Sequence, residues 1–351
     1  MSTSPKAKRI GQAPQQVLVL TSPKAGRGQG REQLIALATR LEHDSITCHV
    51  MDSPAELKRR VDDWCASGDS RPVVVAAGGD GTVSLTASIL TSEIPLVPMP
   101  MGTENLLALH FGFTNDADRV HATIVRGEDR LIDAASALPC RRDGTPRDEE
   151  RMFLVMISAG FDAEVVRAVH LRRKGFISRW TYAGPIWRAL TKYRFPEISH
   201  QSVSDDIPVE ARDAFPTDPS TGSPSRSGWA MAFNLPRYAA SMKIVPNADP
   251  SDGKLDVIQL AGRSVLSGVK YLLGILVSRH TSFQDVSQCR CETFQWNPAV
   301  DSAASDGDPA SRFSHSRSRV PYQLDGDYLG RLPVRVRTLP NRVCLRLPPG
   351  D

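Results

Sequence analysis

A run of ten residues decides the fold of this chain: Val73-Val74-Val75-Ala76-Ala77-Gly78-Gly79-Asp80-Gly81-Thr82. Its first half is apolar and rich in valine, which is typical of a strand buried within a parallel sheet. The glycines that follow would let backbone N–H groups approach a phosphate where a Cβ would obstruct them. Thr82 is expected to cap the next helix, whose positive end would point at the anion. A tight connection without any ligand uses the same residues, so both interpretations stay open here.

Asp80 places a carboxylate inside this glycine-rich turn. In phosphate sites Mg²⁺ keeps most of its waters and needs only one or two protein carboxylates. Asp80 is therefore a candidate ligand of Mg²⁺ or of a water that the ion holds.

The first third of the chain alternates short apolar strands with amphipathic helices, which is the pattern of a parallel α/β domain. We predict this domain over residues 15–137. The predicted strands are Val17–Leu20, Ile46–Val50, Val73–Ala77 and Leu96–Pro98, and the predicted helices begin at Arg31, Pro54, Thr82 and Thr103. Ligands of such sheets bind beyond the carboxyl ends of the strands. The turn after the first strand, Thr21–Gly28, is therefore expected to face the same crevice as the glycine-rich turn.

Composition places the chain among ordinary globular proteins. Its 351 residues, 40% of them hydrophobic, are enough for two domains. The formal net charge of +4, from 43 basic and 39 acidic residues, is too small to favour a nucleic-acid partner. Residues 1–14 are predicted to be a disordered tail without the apolar core of an export signal, so a cytoplasmic location is expected. Monomer and homodimer both stay open as oligomeric states.

Six cysteines are scattered through the sequence. Only Cys289 and Cys291 are close together, and on a predicted strand their side chains would share one face. Their spacing matches neither a zinc motif nor a disulfide framework. We interpret them as packing thiols.

A β-rich second domain is predicted over residues 150–332, because strand-like runs such as Trp229–Leu235 and Leu255–Leu260 dominate there. Two stretches, 199–228 and 297–319, are rich in Ser, Pro, Asp and Gly. Such stretches cannot bury enough apolar surface to order themselves, so we interpret them as surface insertions.

Six motifs together resemble the diacylglycerol kinase catalytic-domain family, which includes bacterial lipid kinases and the sphingosine kinases. They are Ser22–Gly26, Gly78–Thr82, Pro100–Asn105, Gly160–Ala163, Asp252–Asp256 and Leu324–Asp327, in the order and spacing of the family. The resemblance spans nearly the whole chain. It implies an α/β nucleotide-binding domain like that of NAD kinases and phosphofructokinases, followed by a β-sandwich domain, with a cleft between them. It further implies that residues 333–351 pack back on the first domain.

The resemblance implies ATP and Mg²⁺ as cofactors and places the ATP phosphates on the two glycine turns of the first domain. The implied ATP-binding residues are Ser22, Gly26, Arg27, Gly78, Gly79, Gly81, Thr82, Gly102, Thr103 and Asn105. Asp133 is implied to join Asp80 in a network of magnesium and water, and Asp252 to hold a structural Mg²⁺. A surface aspartate at a domain junction would also explain Asp133, and an Asp-Gly turn would also explain Asp252.

The resemblance also implies that Asp325 is the general base, which takes the proton of a lipid hydroxyl as that hydroxyl attacks the γ-phosphoryl group. Asp327 stands where the family has Glu, and it keeps the carboxylate with a reach shorter by one methylene. Together with Asp80 these residues form the predicted catalytic set. On its own, Asp325-Gly326-Asp327 would be explained as a hairpin turn.

Three further positions depart from the family pattern: Ser22 replaces an Asn, Leu85 replaces a Glu and Leu106 replaces an Asp. The two leucines remove polar groups near the expected metal. They predict a metal site that is weaker than, or arranged differently from, that of relatives.

A lipid partner at the membrane surface follows from the resemblance. The basic and aromatic segment Arg167–Phe195 is the predicted membrane-facing surface. Its expected membrane contacts are Arg172, Arg173, Lys174, Trp180 and Trp187. A solvated helix face that covers the second domain is the alternative. The apolar helical face within Val265–Leu276 is too short to span a bilayer, and we predict core packing for it rather than an interfacial position.

The sequence therefore predicts an ATP- and Mg²⁺-dependent lipid kinase that phosphorylates a hydroxyl of diacylglycerol or a related lipid, in the cytoplasm and at the inner face of the membrane. A soluble-metabolite kinase of the NAD kinase type is the second hypothesis, because those enzymes share the Gly-Gly-Asp-Gly turn. A catalytically silent lipid- or nucleotide-binding protein is the third, and Leu85 and Leu106 motivate it.

Overall fold

The computed structural model describes residues 9–10, 14–22, 29–67, 70–170, 183–202, 225–238, 242–299 and 320–350. The chain divides into two compact units, Met1–Ala134 with Pro340–Asp351, and Ala135–Leu339. Two long strands, β6 (Glu128–Pro139) and β17 (Val334–Leu347), carry the chain from one unit to the other. The sequence predicted that the first domain ends at residue 137 and that the second spans residues 150–332. Both divisions of the structure fall inside a continuous strand, which local composition does not mark.

Strands and helices alternate along the first unit. Its remaining elements are β1 (Arg9–Ile10), β2 (Gln16–Thr21), α1 (Gln29–His43), β3 (Thr47–Met51), α2 (Pro54–Ser67), β4 (Val73–Gly78), α3 (Asp80–Ile89), β5 (Pro95–Pro100), α4 (Leu106–Phe111) and α5 (Ala117–Arg126). The parallel strands follow the order β5-β4-β2-β3. β4 is buried along its whole length, as its run of valines and alanines predicts.

Strands near both ends of the chain, β1 and the last part of β17, belong to the first unit. Arg9 and Ile10 pair antiparallel with Asp129 and Glu128, so these two residues of the segment predicted as a disordered tail form a strand. Near the C-terminus, Cys344 pairs with Pro95 in parallel register. The last strand is therefore part of the parallel sheet that β5 belongs to.

Two arginines of the last strand fix it within this unit. Arg346 is 1% exposed, and its Nε and Nη2 donate to the two carboxylate oxygens of Asp129 at 2.7 and 3.1 Å. Its Nη1 donates to the carbonyl of Ile124 at 2.9 Å, and Arg342 donates to the carbonyl of Leu90 at 2.7 Å. A bidentate buried pair of this kind gives geometric specificity, and it leaves a costly unpaired charge if one partner is removed.

The second unit is built mainly from antiparallel strands. Its elements besides the parts of β6 and β17 are β7 (Arg151–Phe153), β8 (Met156–Gly160), α6 (Phe161–His170), α7 (Ala183–Lys192), β9 (Ile198–Ser202), β10 (Ser225–Ser227), β11 (Trp229–Phe233), β12 (Leu255–Leu260), α8 (Val265–Leu276), a 3-10 turn (His280–Ser282), β13 (Val286–Cys291), β14 (Thr293–Pro298), β15 (Pro321–Leu324) and β16 (Asp327–Arg331). One sheet has the order β13-β12-β11-β8-β15-β16, and the other has the order β10-β9-β14-β17. Buried side chains of both sheets, such as Ile157, Val257, Phe294 and Trp296, form one core. The predicted β-sandwich is confirmed.

The two stretches predicted as insertions are bordered by paired strands. Residues 199–202 belong to β9 and residues 225–227 to β10, which pair with each other, whereas 203–224 lie outside the described residues. In the same way, Asn297 and Pro298 end β14 and pair with β9. The prediction set both stretches too wide because composition does not register backbone pairing between distant segments.

Candidate active site

The glycine-rich turn joins β4 to α3 with a tight geometry. Gly79 caps the helix with its backbone, and the N–H of Thr82 donates to the carbonyl of Gly79 at 2.9 Å. The prediction that the Thr82 side chain caps α3 is wrong, because this residue lies inside the first turn of the helix. Its hydroxyl instead covers Gly78, where an added Cβ would lie only 2.3 Å from Thr82 Oγ1. Gly78 is thus required by the helix that packs over it.

A second turn follows β5 and is closed by one amide side chain. Asn105 Oδ1 accepts from the N–H of Gly102 at 3.0 Å, and Asn105 Nδ2 donates to the carbonyl of Gly102 at 2.9 Å. Asn105 itself has a left-handed backbone with φ of 50°. The helix therefore begins at Leu106 and not at Thr103 as predicted, because a left-handed residue interrupts the helical path.

The two turns meet through their glycines. The N–H of Met101 donates to the carbonyl of Gly78 at 2.9 Å. A Cβ on Gly102 would lie 2.6 Å from the Cα of Gly79, which no real side chain could tolerate. Gly81, Gly102 and Thr103 are exposed at this junction. The two glycine turns, Gly78–Thr82 and Gly102–Asn105, thus form one small surface where a ligand could approach the backbone.

Asp80 connects this surface to the next helix. Its carboxylate oxygens accept from the N–H groups of Leu106 at 3.0 Å and Leu107 at 3.3 Å, which are the first two residues of α4. The first N–H groups of a helix have no partner inside the helix, so Asp80 satisfies two of them. Carboxylate oxygens are also the kind of ligand that Mg²⁺ takes in phosphate sites.

Asp133 lies inside β6 rather than after a strand, and it is only 1% exposed. Its Oδ1 accepts from the N–H of Asn341 at 2.8 Å. Asn341 has a left-handed backbone with φ of 53°. Asp133 therefore fixes an irregular point of the last strand, and burial makes the surface-aspartate interpretation wrong.

Several predicted positions cannot be placed. Gly26 and Arg27 lie outside the described residues, as do Arg172, Arg173, Lys174 and Trp180. Ser22 is half-buried just after β2, at the carboxyl end of the strand, where the sequence predicted it. Trp187 lies on α7 and is 69% exposed.

In the second unit, Asp325 and Gly326 form the two-residue turn between β15 and β16. Both have positive φ, 47° and 87°, as a tight hairpin turn of mirror-image type requires. The Asp325 carboxylate accepts from three backbone N–H groups, those of Leu154, Val155 and Met156, each at 2.9 Å. These donors stabilise the ionised carboxylate and fix the chain that enters β8.

A buried polar network supports this hairpin from below. Gln323 Oε1 accepts from the N–H of Gly326 at 2.7 Å, and Gln323 Nε2 donates to Asp162 at 3.2 Å. Ser158 and Tyr238 donate their hydroxyl hydrogens to the same carboxylate. Burial raises the pKa of Asp162, and these three donors oppose the shift.

Sequence reasoning did not assign a role to Asp162, Gln323 or Tyr238. Asp162 was visible within the motif Gly160–Ala163, but its partners are 76 and 161 residues away along the chain. Asp327 follows the turn as the first residue of β16, where it is half-buried and opposite Leu324.

Asp252 carries a different set of partners. Its Oδ1 accepts from the N–H of Lys254 at 3.0 Å, which closes the turn around Gly253, and Arg290 forms an ion pair with its Oδ2. The Asp-Gly turn is thus present, and a guanidinium occupies one oxygen of the predicted metal ligand.

Helix α8 presents an apolar face to solvent. The most exposed of its residues are Leu266 at 82%, Leu276 at 66% and Leu273 at 58%. The buried face is the glycine side, where an added Cβ on Gly268 would lie 3.0 Å from Leu190 of α7 and one on Gly274 would lie 2.5 Å from Phe283. The prediction that the leucine face packs in the core is therefore wrong, because the buried side of α8 is the one that carries Gly268, Tyr271, Gly274 and Ile275.

An α/β unit with two joined glycine turns is followed along the chain by a β-sandwich with an Asp-Gly hairpin, and the sequence profiles that match these two parts are those of two-domain kinases. The sequence profile of the diacylglycerol kinase catalytic domain matches residues 16–137, and that of the YegS C-terminal NAD kinase beta sandwich-like domain matches residues 155–347. The chain belongs to the diacylglycerol kinase-like family, as its six motifs predicted.

Individual relatives agree with this assignment. The chain is 26% identical over 314 residues to a diacylglycerol kinase of Mycobacterium tuberculosis, covering 88% of this chain and 93% of that protein. It is 21% identical to an uncharacterised protein of Synechocystis sp., covering 94% of this chain and 70% of the relative. The family is one of lipid kinases, and a kinase family implies ATP as the phosphoryl donor.

Solved structures share the fold. A candidate diacylglycerol kinase of Bacillus anthracis aligns with a TM-score of 0.64 at 15% identity, covering 97% of this chain and 99% of that one. A yeast NADH kinase complexed with NADH aligns with a TM-score of 0.51 at 11% identity, covering 98% and 87%. The predicted fold class is confirmed. Within the described part of the chain, no helix has the length and apolar character needed to cross a bilayer.

Proposed function

We propose that this protein transfers the γ-phosphoryl group of ATP, with Mg²⁺, to a hydroxyl of diacylglycerol or a related lipid in phospholipid metabolism. The observation that carries the proposal is the contact between the two glycine turns, where Gly79 lies so close to Gly102 that position 102 cannot hold a side chain. Such an approach leaves bare backbone at the carboxyl ends of β4 and β5, which is where α/β sheets bind nucleotides.

The ATP phosphates would lie on this surface, near Gly81 and Thr103 and close to the start of α3. Asp80 fits a hydrated Mg²⁺ because its carboxylate lies in the glycine-rich turn and is held in place by the N–H groups of α4. Magnesium would neutralise charge on the transferred phosphoryl group. The buried Asp133 would orient the last strand.

In the transfer step, the lipid oxygen forms a bond to the γ-phosphorus while the bond from that phosphorus to the bridging oxygen of ADP breaks. The hydroxyl proton passes to a carboxylate of the hairpin. Asp325 is held in place by three backbone N–H groups and is the proposed acceptor. Asp327, two residues further along, is the alternative acceptor.

Access to the lipid is proposed to occur at a bilayer surface through α7 and α8. The exposed leucines of α8 offer apolar contact, and α7 adds the exposed Trp187 with the exposed cations Arg188 and Lys192. Gly268 of α8 contacts Leu190 of α7, so the two helices form one continuous surface. Apolar, tryptophan and basic side chains together suit an anionic lipid surface.

A transfer assay tests the kinase proposal. Purified protein is incubated with γ-labelled ATP, Mg²⁺ and a total lipid extract in mixed micelles, and in parallel with NAD as a soluble acceptor. A labelled lipid that is lost in Asp327→Asn or Asp325→Asn supports the proposal and identifies the acceptor. Label in NAD alone would favour the soluble-metabolite kinase, which the fold of the NADH kinase keeps as the second candidate. ATP binding without transfer would favour a silent binder.

Vesicle sedimentation tests the membrane surface. Leu266→Glu with Leu273→Glu should release the protein from vesicles that contain anionic lipid, because two charges enter the apolar face. Ile35→Glu is the matched control, since Ile35 is 60% exposed on α1 of the first unit. Equal release by the control and the double variant would contradict the proposed surface.

A further inference from the structure

Three side chains that the proposed kinase reaction does not use come together inside the β-sandwich. His200 of β9 faces Cys289 and Cys291 of β13, although the histidine is about ninety residues away in sequence. The two sulfurs are 3.7 Å apart, and they lie 3.9 and 4.0 Å from His200 Nε2. Ser202 Oγ lies 3.5 Å from Cys291 Sγ and 3.4 Å from His200 Nε2. His200 and Cys291 are buried, and Cys289 is half-buried.

The strand geometry explains this meeting. Side chains alternate along β13, so Cys289 and Cys291 share the inner face and Arg290 points to the other side, where it pairs with Asp252 and Asp256. β13 is the outermost strand of its sheet, and β9 belongs to the opposite sheet. The cluster therefore spans the two sheets at an edge, and Cys289 is its accessible member.

A metal ion is the first use to consider for such a group. Two thiolates bound to tetrahedral zinc at about 2.3 Å would be separated by about 3.8 Å, which is close to the spacing of these sulfurs. A histidine that binds a metal through one ring nitrogen donates the hydrogen of the other nitrogen to an acceptor. His200 does not meet this condition.

Trp296 decides the protonation of His200. The indole Nε1–H of Trp296 donates to His200 Nδ1 at 3.0 Å, and an indole nitrogen cannot act as an acceptor. Nδ1 must therefore keep its lone pair, so the ring hydrogen of neutral His200 is on Nε2. That hydrogen points toward the sulfurs. His200 thus presents a hydrogen-bond donor to the two sulfurs and is not a metal ligand.

We propose that Cys289 and Cys291 are a reactive thiol pair that shares one proton, and that Cys289 takes up thiols from low-molecular-weight disulfides. Cys289 passes its hydrogen to Cys291, and its sulfur then attacks one sulfur of the disulfide R–S–S–R. A Cys289–S–S–R bond forms, the original S–S bond breaks, and RS⁻ leaves and is protonated by solvent. The protein gains one mixed disulfide, and the small disulfide is reduced to one thiol.

The reaction stops at the mixed disulfide because the geometry of β13 prevents a second disulfide between Cys289 and Cys291. Two residues apart on one strand, the Cα atoms are separated by about 6.6 Å, and side chains on one face stand nearly parallel. A disulfide requires Cβ atoms about 3.8 Å apart. A bond between Cys289 and Cys291 would therefore require β13 to leave its pairing with β12, in which Cys289 is opposite Val257 and Cys291 is opposite Leu255.

The charges around the pair agree with a shared proton. The hydrogen bond from Cys289 lowers the pKa of Cys291, and the donors His200 and Ser202 lower it further. The same shared hydrogen, followed by burial and the nearby Asp256 of β12, raises the pKa of Cys289.

Site-resolved thiolation tests this proposal. The reduced full-length protein is treated with glutathione disulfide at pH 6 and pH 8.5, and the modified cysteines are mapped by mass spectrometry over time. Cys65 is the internal control, because it is exposed on α2 and is not part of the cluster. We expect Cys289 to react about tenfold faster than Cys65 at pH 6, where an ordinary thiol is almost fully protonated.

Two variants test whether the reaction rate of Cys289 depends on the proton shared with Cys291 or only on the exposure of Cys289. Cys291→Ser should reduce the rate at Cys289 about tenfold at pH 6 and leave the rate at Cys65 unchanged. Ser202→Ala should slow Cys289 less, because it removes one donor and keeps the sulfur. Faster reaction at Cys65 than at Cys289 at pH 6 would overturn the proposal. Binding of one equivalent of Zn²⁺ by the reduced protein, with protection of both cysteines, would overturn it in favour of a metal site.

Discussion

In both the glycine-rich turn of the first unit and the Asp-Gly hairpin of the second, an aspartate carboxylate accepts backbone N–H groups. The two turns differ in how much of their structure depends on that carboxylate. Asp80 accepts two N–H groups at the start of α4, and Asp325 accepts three at the entrance to β8. The first turn also depends on absent side chains, since Gly79 and Gly102 touch. In the hairpin, by contrast, the Asp325 carboxylate itself joins the turn to the start of β8 through its hydrogen bonds. Substitution of a motif aspartate here therefore changes both structure and chemistry.

The largest effect is expected for Asp325→Ala. This change removes the acceptor of three N–H groups, and the two residues Leu154 and Val155 are fully buried. Because each buried unsatisfied donor costs about 1–3 kcal/mol, the free energy of unfolding should fall by at least about 3 kcal/mol. Urea denaturation measures the loss. A decrease below about 1 kcal/mol would show that water replaces the carboxylate.

The second prediction addresses the contact between the glycine turns. Gly102→Ala would place a Cβ 2.6 Å from Gly79 Cα and 2.7 Å from Asn105 Oδ1. We expect a loss of about 2 kcal/mol in the free energy of unfolding, typical of forced overpacking, and at least about tenfold weaker ATP binding by calorimetry. Gly184→Ala is the matched control, because an added Cβ there meets open space. Unchanged ATP affinity in Gly102→Ala would show that this surface does not bind the nucleotide.

A smaller effect on stability is expected for Asp80→Asn. One amide oxygen can still accept from α4, and the amide nitrogen then faces the second N–H. The loss should be about 1 kcal/mol in thermal or urea unfolding, because the site is half-buried. A larger loss than that of Asp325→Ala would reverse the comparison between the two turns.

Asp327→Asn should have the smallest effect on folding. Asp327 begins the outermost strand of its sheet and is half-buried, so the free energy of unfolding should change by less than about 0.5 kcal/mol. Turnover in the lipid assay should still fall about a hundredfold, as expected for loss of a proton acceptor or of a carboxylate near the phosphates. Full turnover in this variant would leave Asp325 as the proton acceptor.

The sequence was most informative where local pattern determines structure. β4 and the position of the glycine-rich turn were predicted within one residue, because burial and glycine content are local properties. The start of α4 was missed, since the left-handed Asn105 is held by its own amide bonds to Gly102. The contact of Asp80 with the start of α4 was not visible in the sequence, because Leu106 is 26 residues away.

Long-range packing accounts for the remaining errors. The apolar periodicity of α8 correctly identified a face of leucines, but it did not show whether that face is buried. The neighbouring residues pack against the side that carries Gly268 and Gly274. The thiol pair was interpreted as packing because its histidine is on another sheet. No spacing rule within one strand could have brought His200 to Cys289.

The position of the last strand also determines when the first unit can complete its folding during synthesis. Residues 340–351 complete the first unit, although every other strand of its parallel sheet lies within the first hundred residues of the chain. During synthesis, one edge of β5 therefore stays without its partner strand until β17 has left the ribosome. Open edges pair readily with other chains. A truncated product that stops before Pro340 would keep that edge open, so premature termination should yield aggregates rather than a smaller active enzyme.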